Sequence, residues 1–347
     1  MLRSRPRTPE PYGRPRRRRL GPLLPPVLWG AAAVLWQLTS PLARRDGAAA
    51  RSLTAGVFCA GGVLLVLGAR RGPLKELHRA REVARAAQQV LLRPLPPRLD
   101  GLTVAAGQLS VSEGAAVGGD LYEAVATPYG VRCVIGDVRG HGIGALGAVA
   151  AVLGSFREAA HDEPDLGGVL HRLERAHARQ LRERTAHPAP AAEEFVTVLL
   201  LEIRRDGTLL LASCGHPLPY RLGPEGARRL TGGEVLPPLG VFPLPAEPPV
   251  HEAGTLRPGE ALVLHTDGAE DARDAAGRFF GLAELLADSA RTAPAALVRR
   301  VHTALLRHTG GRLADDVALM VVRDDGRRPG PRPEPCRARS AARLPCP

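Results

Sequence analysis

The rhythm of apolar and polar positions changes several times along the chain. Residues 20–43 and 52–69 carry no charge and are largely apolar. Residues 75–92 place Leu77, Val83, Ala84, Ala87, Val90 and Leu91 at helical spacing, and Pro94, Pro96 and Pro97 stop the pattern. From residue 102 onward the pattern is mixed. Short runs at 102–109, 120–127 and 131–138 read as strands. Residues 143–160 and 166–184 read as helices. Two apolar runs at 195–203 and 208–213, joined by Arg205-Asp206-Gly207, read as a hairpin. Residues 218–222 add a strand, 232–250 are a Pro/Gly-rich loop, and 261–265 are a short apolar strand. Helices are expected at 282–289 and 295–307, and a last strand at 317–322. This order suggests α+β architecture, with antiparallel sheets and helices packed outside them.

The two uncharged runs approach the length of about 20 residues that a bilayer-spanning helix requires. The first is interrupted by Pro22, Pro25 and Pro26, and holds both tryptophans, Trp29 and Trp36. A cleaved signal peptide is the competing reading, since an Arg-rich stretch precedes the first run. The second run follows at once, and no small-residue cleavage site clearly ends the first. A two-helix transmembrane hairpin over 20–69 is therefore expected. Eight arginines in the first 19 residues, and Arg70, Arg71, Lys75, Arg79, Arg81 and Arg85 after the hairpin, favour both ends inside. The expected placement is a multi-pass protein of the cell membrane, with termini and catalytic domain cytoplasmic. Residues 75–92 are either an ordinary linker helix or a helix through which two copies pair as a homodimer.

A chain of 347 residues has room for about two domains. Aromatics are only 3% of it, so Leu, Val and Ala must fill the core. The net charge of +12 raises the question of nucleic acid. The basic excess lies in the Arg-rich termini, however, and no basic stripe is interleaved with stacking aromatics, which speaks against a nucleic-acid partner. The five cysteines include no metal-like pair and read as free thiols.

Carboxylates recur at or beside strand ends: Asp120 in Gly-Gly-Asp, Asp137 in Ile-Gly-Asp, Asp267 in Thr-Asp-Gly, and the pair Asp315–Asp316 before the last strand. Taken one at a time, each could be a solvated turn residue. Taken together they form an all-oxygen donor set, suited to Mg²⁺ or Mn²⁺ rather than zinc. Converging carboxylates need such a cation, because like charges otherwise raise one another's pKa.

The motifs come in a recognisable order. Gly118-Gly119-Asp120-Leu121-Tyr122 is followed by Ile135-Gly136-Asp137-Val138-Arg139-Gly140-His141-Gly142, then Phe195-Val196-Thr197 and Cys214-Gly215-His216-Pro217. Pro238-Leu239-Gly240, Leu264-His265-Thr266-Asp267-Gly268 and Asp315-Asp316-Val317 complete the set. With these motifs, residues 82–323 resemble the metal-dependent (PPM, type 2C) serine/threonine protein phosphatases, in their SpoIIE-like bacterial branch. The resemblance implies an αββα sandwich with two Mn²⁺ or Mg²⁺ ions at one edge of the sheets. It implies that Asp137 bridges the ions and that the Val138 carbonyl is a ligand. Asp267 and Asp315 would complete one shell, and Asp120 would serve the second ion, directly or through water. Asp137 and Asp267 would be the catalytic carboxylates, and a hydroxide would attack a phosphoserine or phosphothreonine in line. The expected domains are a basic N-terminus at 1–19, the hairpin at 20–69, a linker helix at 70–97, the phosphatase domain at 98–323 and an Arg/Pro-rich tail at 324–347.

The chain departs from that branch at Arg139-Gly140-His141-Gly142, where Ser-Gly-Lys-Gly is common, and at Glu123, where aspartate is frequent. Arg139 either pairs with the substrate phosphate or is a solvated loop charge. His141 either donates a proton to the leaving group or stabilises the loop. Asp316 either supports its neighbour or replaces it as ligand, and His216 reads as structural. The expected activity is a membrane-anchored phosphoprotein phosphatase acting on a phosphorylated anti-anti-sigma regulator of STAS type. The alternative is a catalytically silent scaffold binding the same kind of regulator; the filled ligand positions argue against it.

Overall fold

A computed structural model of the chain describes residues 28–32, 35–36, 52, 55–65, 67, 86, 88, 90–110, 118–139, 143–185 and 194–326. The chain divides into two compact units, Met1–Ala80 and Arg81–Pro347. The expected basic N-terminus, most of the linker helix and of the pairing segment 75–92, and the tail beyond residue 326 lie outside the described residues.

In the first unit the described residues are helical. Trp29 Nε1 donates to the Phe58 carbonyl at 3.0 Å, and the two rings lie 5.5 Å apart. Among the described residues no helix is long and apolar enough to cross a membrane. This overturns the expected hairpin and the multi-pass membrane placement built on it. Absence of charge is only one of two requirements; the other is an unbroken helix about 30 Å long.

The second unit holds two antiparallel sheets. One contains β1 (Arg98–Leu99), β2 (Leu102–Leu109), β7 (Tyr220–Gly223), β8 (Gly226–Arg229), β10 (Ala261–His265) and β11 (Val317–Asp324), in the order β1-β2-β11-β10-β7-β8. The other contains β3 (Asp120–Thr127), β4 (Gly130–Val138), β5 (Val196–Ile203), β6 (Thr208–Cys214) and β9 (His251–Thr255), in the order β3-β4-β5-β6-β9. The helices are α1 (Ile143–Asp162), α2 (Leu166–Thr185), α3 (Gly268–Asp271), α4 (Leu282–Ala287) and α5 (Pro294–His308).

Side-chain alternation assembles these into four layers. Cys133, Ile135, Leu199 and Leu201 of one sheet meet Leu262, Leu264, Met320 and Val322 of the other in a core between the sheets. Their neighbours point the opposite way, as the two-residue period of a strand demands. Val134, Leu200 and Ala212 pack under Val152, Leu153, Phe156, Leu170 and Leu173 of α1 and α2. Val263, Leu319 and Val321 pack under Leu286, Leu297, Val301 and Leu305 of α4 and α5. The result is helices, sheet, sheet, helices. Strands buried on both faces need no polar alternation, which explains continuous runs such as Val198–Leu201 in β5.

Strands β1, β8 and β9 and helix α3 are additions to the sequence expectation. They are two to five residues long. Gly226-Ala-Arg-Arg229 and His251-Glu-Ala-Gly-Thr255 carry almost no apolar signal because they are exposed edges. The expected hairpin at Arg205-Asp206-Gly207 is present. Gly207 takes φ 93° and its N–H closes on the Arg204 carbonyl at 2.9 Å.

Among the largest fully buried side chains is a charged one, Arg132 on β4. It pairs with Glu202 of β5 at 2.7 Å and donates to the carbonyls of Ala160, Glu163 and Pro164 at the end of α1. The guanidinium thus caps a helix, satisfies a buried carboxylate and joins α1 to its sheet. Arg132→Met should destabilise the protein by about 1–3 kcal/mol, since the carbonyls at the end of α1 would lose their charged donor and Glu202 would keep only Arg204, at 3.0 Å. Urea unfolding measures this.

Candidate active site

The sheets bring the sequence-predicted carboxylates to one end of the sandwich. β3 begins at Asp120 and β4 ends at Asp137–Val138, and Asp120 and Asp137 are direct partners in the ladder. In the other sheet β10 ends at His265, just before Thr266 and Asp267, and β11 begins just after Asp315 and Asp316. One hydrogen bond joins the two ends: Thr266 Oγ1 donates to Asp120 Oδ2 at 3.1 Å, while accepting from the Ala318 N–H at 2.9 Å.

Glycines at the site make room for oxygen atoms. A Cβ on Gly119 would run into the Val138 carbonyl and lie 2.6 Å from Asp137 Oδ1. A Cβ on Gly118 would run into the Asp316 carboxylate, and one on Gly268 into the Asp316 carbonyl. The Gly-Gly before Asp120 and the Gly after Asp267 are therefore needed by close approach rather than by an unusual backbone angle.

Burial raises the pKa of Asp120 well above the usual carboxylate value, and Asp137, Asp316 and Asp315 add to the effect. Asp137 is pushed up to about 7, first by burial, then by Asp267, Asp315 and Asp316. Asp267 is raised by burial and by Asp315. Asp315 acts on Asp267, whereas Asp316 lies against Gly118 and acts more strongly on Asp120 than Asp315 does. Among the described residues no three His, Cys, Asp or Glu side chains form a ready cation cage. The donor set nonetheless fits a hard divalent ion: it is all oxygen, negatively charged, partly desolvated and mutually repelling.

Arg139 follows Val138 directly. Its N–H donates to the Phe195 carbonyl at 2.9 Å, and its guanidinium lies 5.1 Å from the Phe195 ring centroid. His141 lies outside the described residues. Glu123 is no part of the carboxylate group; it is buried in an ion pair with Arg157 of α1 at 2.7 Å. Arg157 also donates to the Leu91 carbonyl at 2.7 Å, tying the segment before β1 to α1. Sequence reasoning gave no role to Thr266 or Thr197. Their signal was present, since Thr266 precedes Asp267 in its motif, but a hydroxyl between apolar residues and an acid is not distinctive.

The fold is that of the PP2C-type phosphatase domains. The family of Stage II sporulation protein E (SpoIIE) matches residues 127–325, more than half of the chain, and the chain belongs to that family. Among solved structures it is similar to the RsbU and RsbW domains of a Mycobacterium tuberculosis protein, at 25% identity and TM-score 0.53, covering 70% of this chain and 64% of that one. It is similar to the SiaA-PP2C domain of Pseudomonas aeruginosa, at 21% identity and TM-score 0.55, covering 74% of this chain and 98% of that one. The PP2C phosphatase domain and regulatory fragment of SpoIIE from Bacillus subtilis matches at 13% identity and TM-score 0.50, covering 67% and 64%. The chain thus spans less than two thirds of the first and third of these relatives.

Two outcomes are expected. Gly119→Ala should destabilise by about 1–3 kcal/mol through overpacking, and should shrink the rise in melting temperature that Mn²⁺ produces in the parent. In chelator, melting temperature should fall as pH rises from about 4 through about 7. Folded Asp137, held at about 7, retains a proton that the unfolded chain has lost, so its contribution is full below the unfolded value and vanishes above the folded one. Calorimetric scans across this range check the sign, and Asp137→Asn should flatten the curve.

Proposed function

We propose that the chain is a metal-dependent phosphatase of phosphoserine or phosphothreonine proteins, with residues 98–323 as its catalytic domain. One observation carries the reading: Asp120 and Asp137 stand opposite each other in one sheet, and Thr266 hydrogen-bonds Asp120 from the strand end of the other sheet that leads into Asp267. Asp137, the Val138 carbonyl, Asp267 and Asp315 would hold one ion. Asp120 would hold the second, with Asp137 shared. Asp316, lying against Gly118, belongs on the Asp120 side. Two Mn²⁺ or Mg²⁺ ions, when bound, supply an acidified water and neutralise the charge of a phosphoryl group.

The residues of the chain do the rest. The paired strands fix the separation of Asp120 and Asp137, and the Gly118–Gly119 turn leaves the Val138 carbonyl accessible. Arg139, whose guanidinium lies over the Phe195 ring, would take phosphate oxygens by charge-assisted hydrogen bonds. For the substrate we favour a phosphorylated STAS-type anti-anti-sigma regulator. Support comes from the family and from the relative that carries an RsbW domain beside its RsbU domain.

Asp137→Ala and Asp267→Ala should each lower Mn²⁺-dependent hydrolysis of p-nitrophenyl phosphate by more than about 100-fold, beyond the usual cost of losing an outer partner of a metal ligand. Undiminished turnover in both variants would sink the two-metal assignment.

A further inference from the structure

We infer that His216 is a positioning residue, whose ring locks the strand end carrying Asp137 to the strand end leading into Asp267. The inference rests on the phosphatase reading and adds a residue that touches neither substrate nor metal.

His216 follows β6 through Gly215, which takes φ 66° and has no room for a side chain against Pro238. Its backbone is clamped by Ser213: the Ser213 hydroxyl donates to the His216 carbonyl at 2.9 Å and accepts from the His216 N–H at 3.3 Å. The ring is buried between the sheets' ends. Nε2 lies 3.1 Å from the His265 carbonyl in β10, and Nδ1 lies 3.0 Å from Thr197 Oγ1 in β5.

These partners fix the tautomer. A carbonyl oxygen only accepts, so Nε2 carries the hydrogen. Burial, with His265 nearby, pushes the pKa down to about 3, so the ring is neutral and Nδ1 is an acceptor. The Thr197 hydroxyl therefore donates to Nδ1. Its other acceptor, the Asp137 carbonyl, is farther away, at 3.5 Å.

The two contacts land in different sheets. Thr197 is the direct ladder partner of Asp137. His265 is two residues before Asp267. One rigid ring thus spans from the partner of the first carboxylate to the strand end presenting the second. The Thr266–Asp120 bond ties the same boundary elsewhere, so the sandwich does not hang on the histidine alone. What the ring sets is the distance between Asp137 and Asp267, to which shared coordination is sensitive.

The test uses the full chain with Thr197→Val, Thr197→Ser and His216→Ala. Thr197→Val is nearly isosteric and removes the donor to the ring together with its longer contact to the Asp137 carbonyl, so the inference is tested even if His216→Ala fails to fold. Near-UV circular dichroism confirms folding, calorimetry gives Mn²⁺ affinity, and p-nitrophenyl phosphate gives kcat and KM. Thr197→Val should weaken Mn²⁺ affinity and lower kcat by about 10-fold or more, as outer partners of metal ligands do, with KM within about 2-fold. Thr197→Ser, which keeps the hydroxyl, should restore both. A folded Thr197→Val with unchanged affinity and kcat overturns the inference, as does a Thr197→Ser as impaired as Thr197→Val. A parent chain that binds Mn²⁺ yet turns nothing over fails the phosphatase reading, and the affinity ratios still decide the role of His216.

Discussion

Carboxylates gathered in a partly desolvated cleft repel one another, and everything around this site answers to that cost. Asp120, Asp137 and Asp267 are each raised by burial and by one another or by Asp315 and Asp316. A fold could relieve the repulsion by letting the strand ends splay. This one holds them, with a ladder pairing, a threonine hydroxyl and a neutral histidine ring. On the proposed reading, a divalent cation would relieve that repulsion.

The rest of the sandwich supports that constraint. A core shared by both sheets packs their inner faces together, with Ile135 of β4 and Leu264 of β10 both in it. Arg132 anchors the end of α1 to β4 and β5. Arg157 links α1 to Glu123 of β3 and to Leu91 in the segment before β1. The segment before β1 is thus hydrogen-bonded to the helix that pairs with the strand beginning at Asp120. Gln88, buried beside Gly118 with its amide 3.4 Å from the Gly118 carbonyl, adds a second contact there.

Much of this was legible in the sequence because the relevant signals are local. Asp-Gly and Gly-Asp at the ends of apolar runs gave strand termini, and the runs themselves gave β2, β3 and β10 with the observed bounds. What stayed hidden is what depends on contacts between distant residues. Thr266 and Asp120 are far apart in sequence, and the ring of His216 bridges two strands of different sheets. The edge strands β8 and β9 lack alternation because solvent, not packing, covers them. The apolar N-terminal runs misled in the opposite direction. Lack of charge over 20–43 and 52–69 suggests two spans, whereas among the described residues no helix is long and apolar enough to cross a membrane. Asp315 and Asp316 show the limit most plainly, since only their neighbours in space distinguish adjacent identical side chains.

The central claim is that these carboxylates share divalent cations. Crystals of the full chain grown with Mn²⁺, measured at the manganese absorption edge, test it most directly. The account predicts anomalous peaks within coordination distance of Asp137, with Asp267 and Asp315 around one ion and Asp120 facing the other. Well-ordered carboxylates with no anomalous peak among them would contradict it.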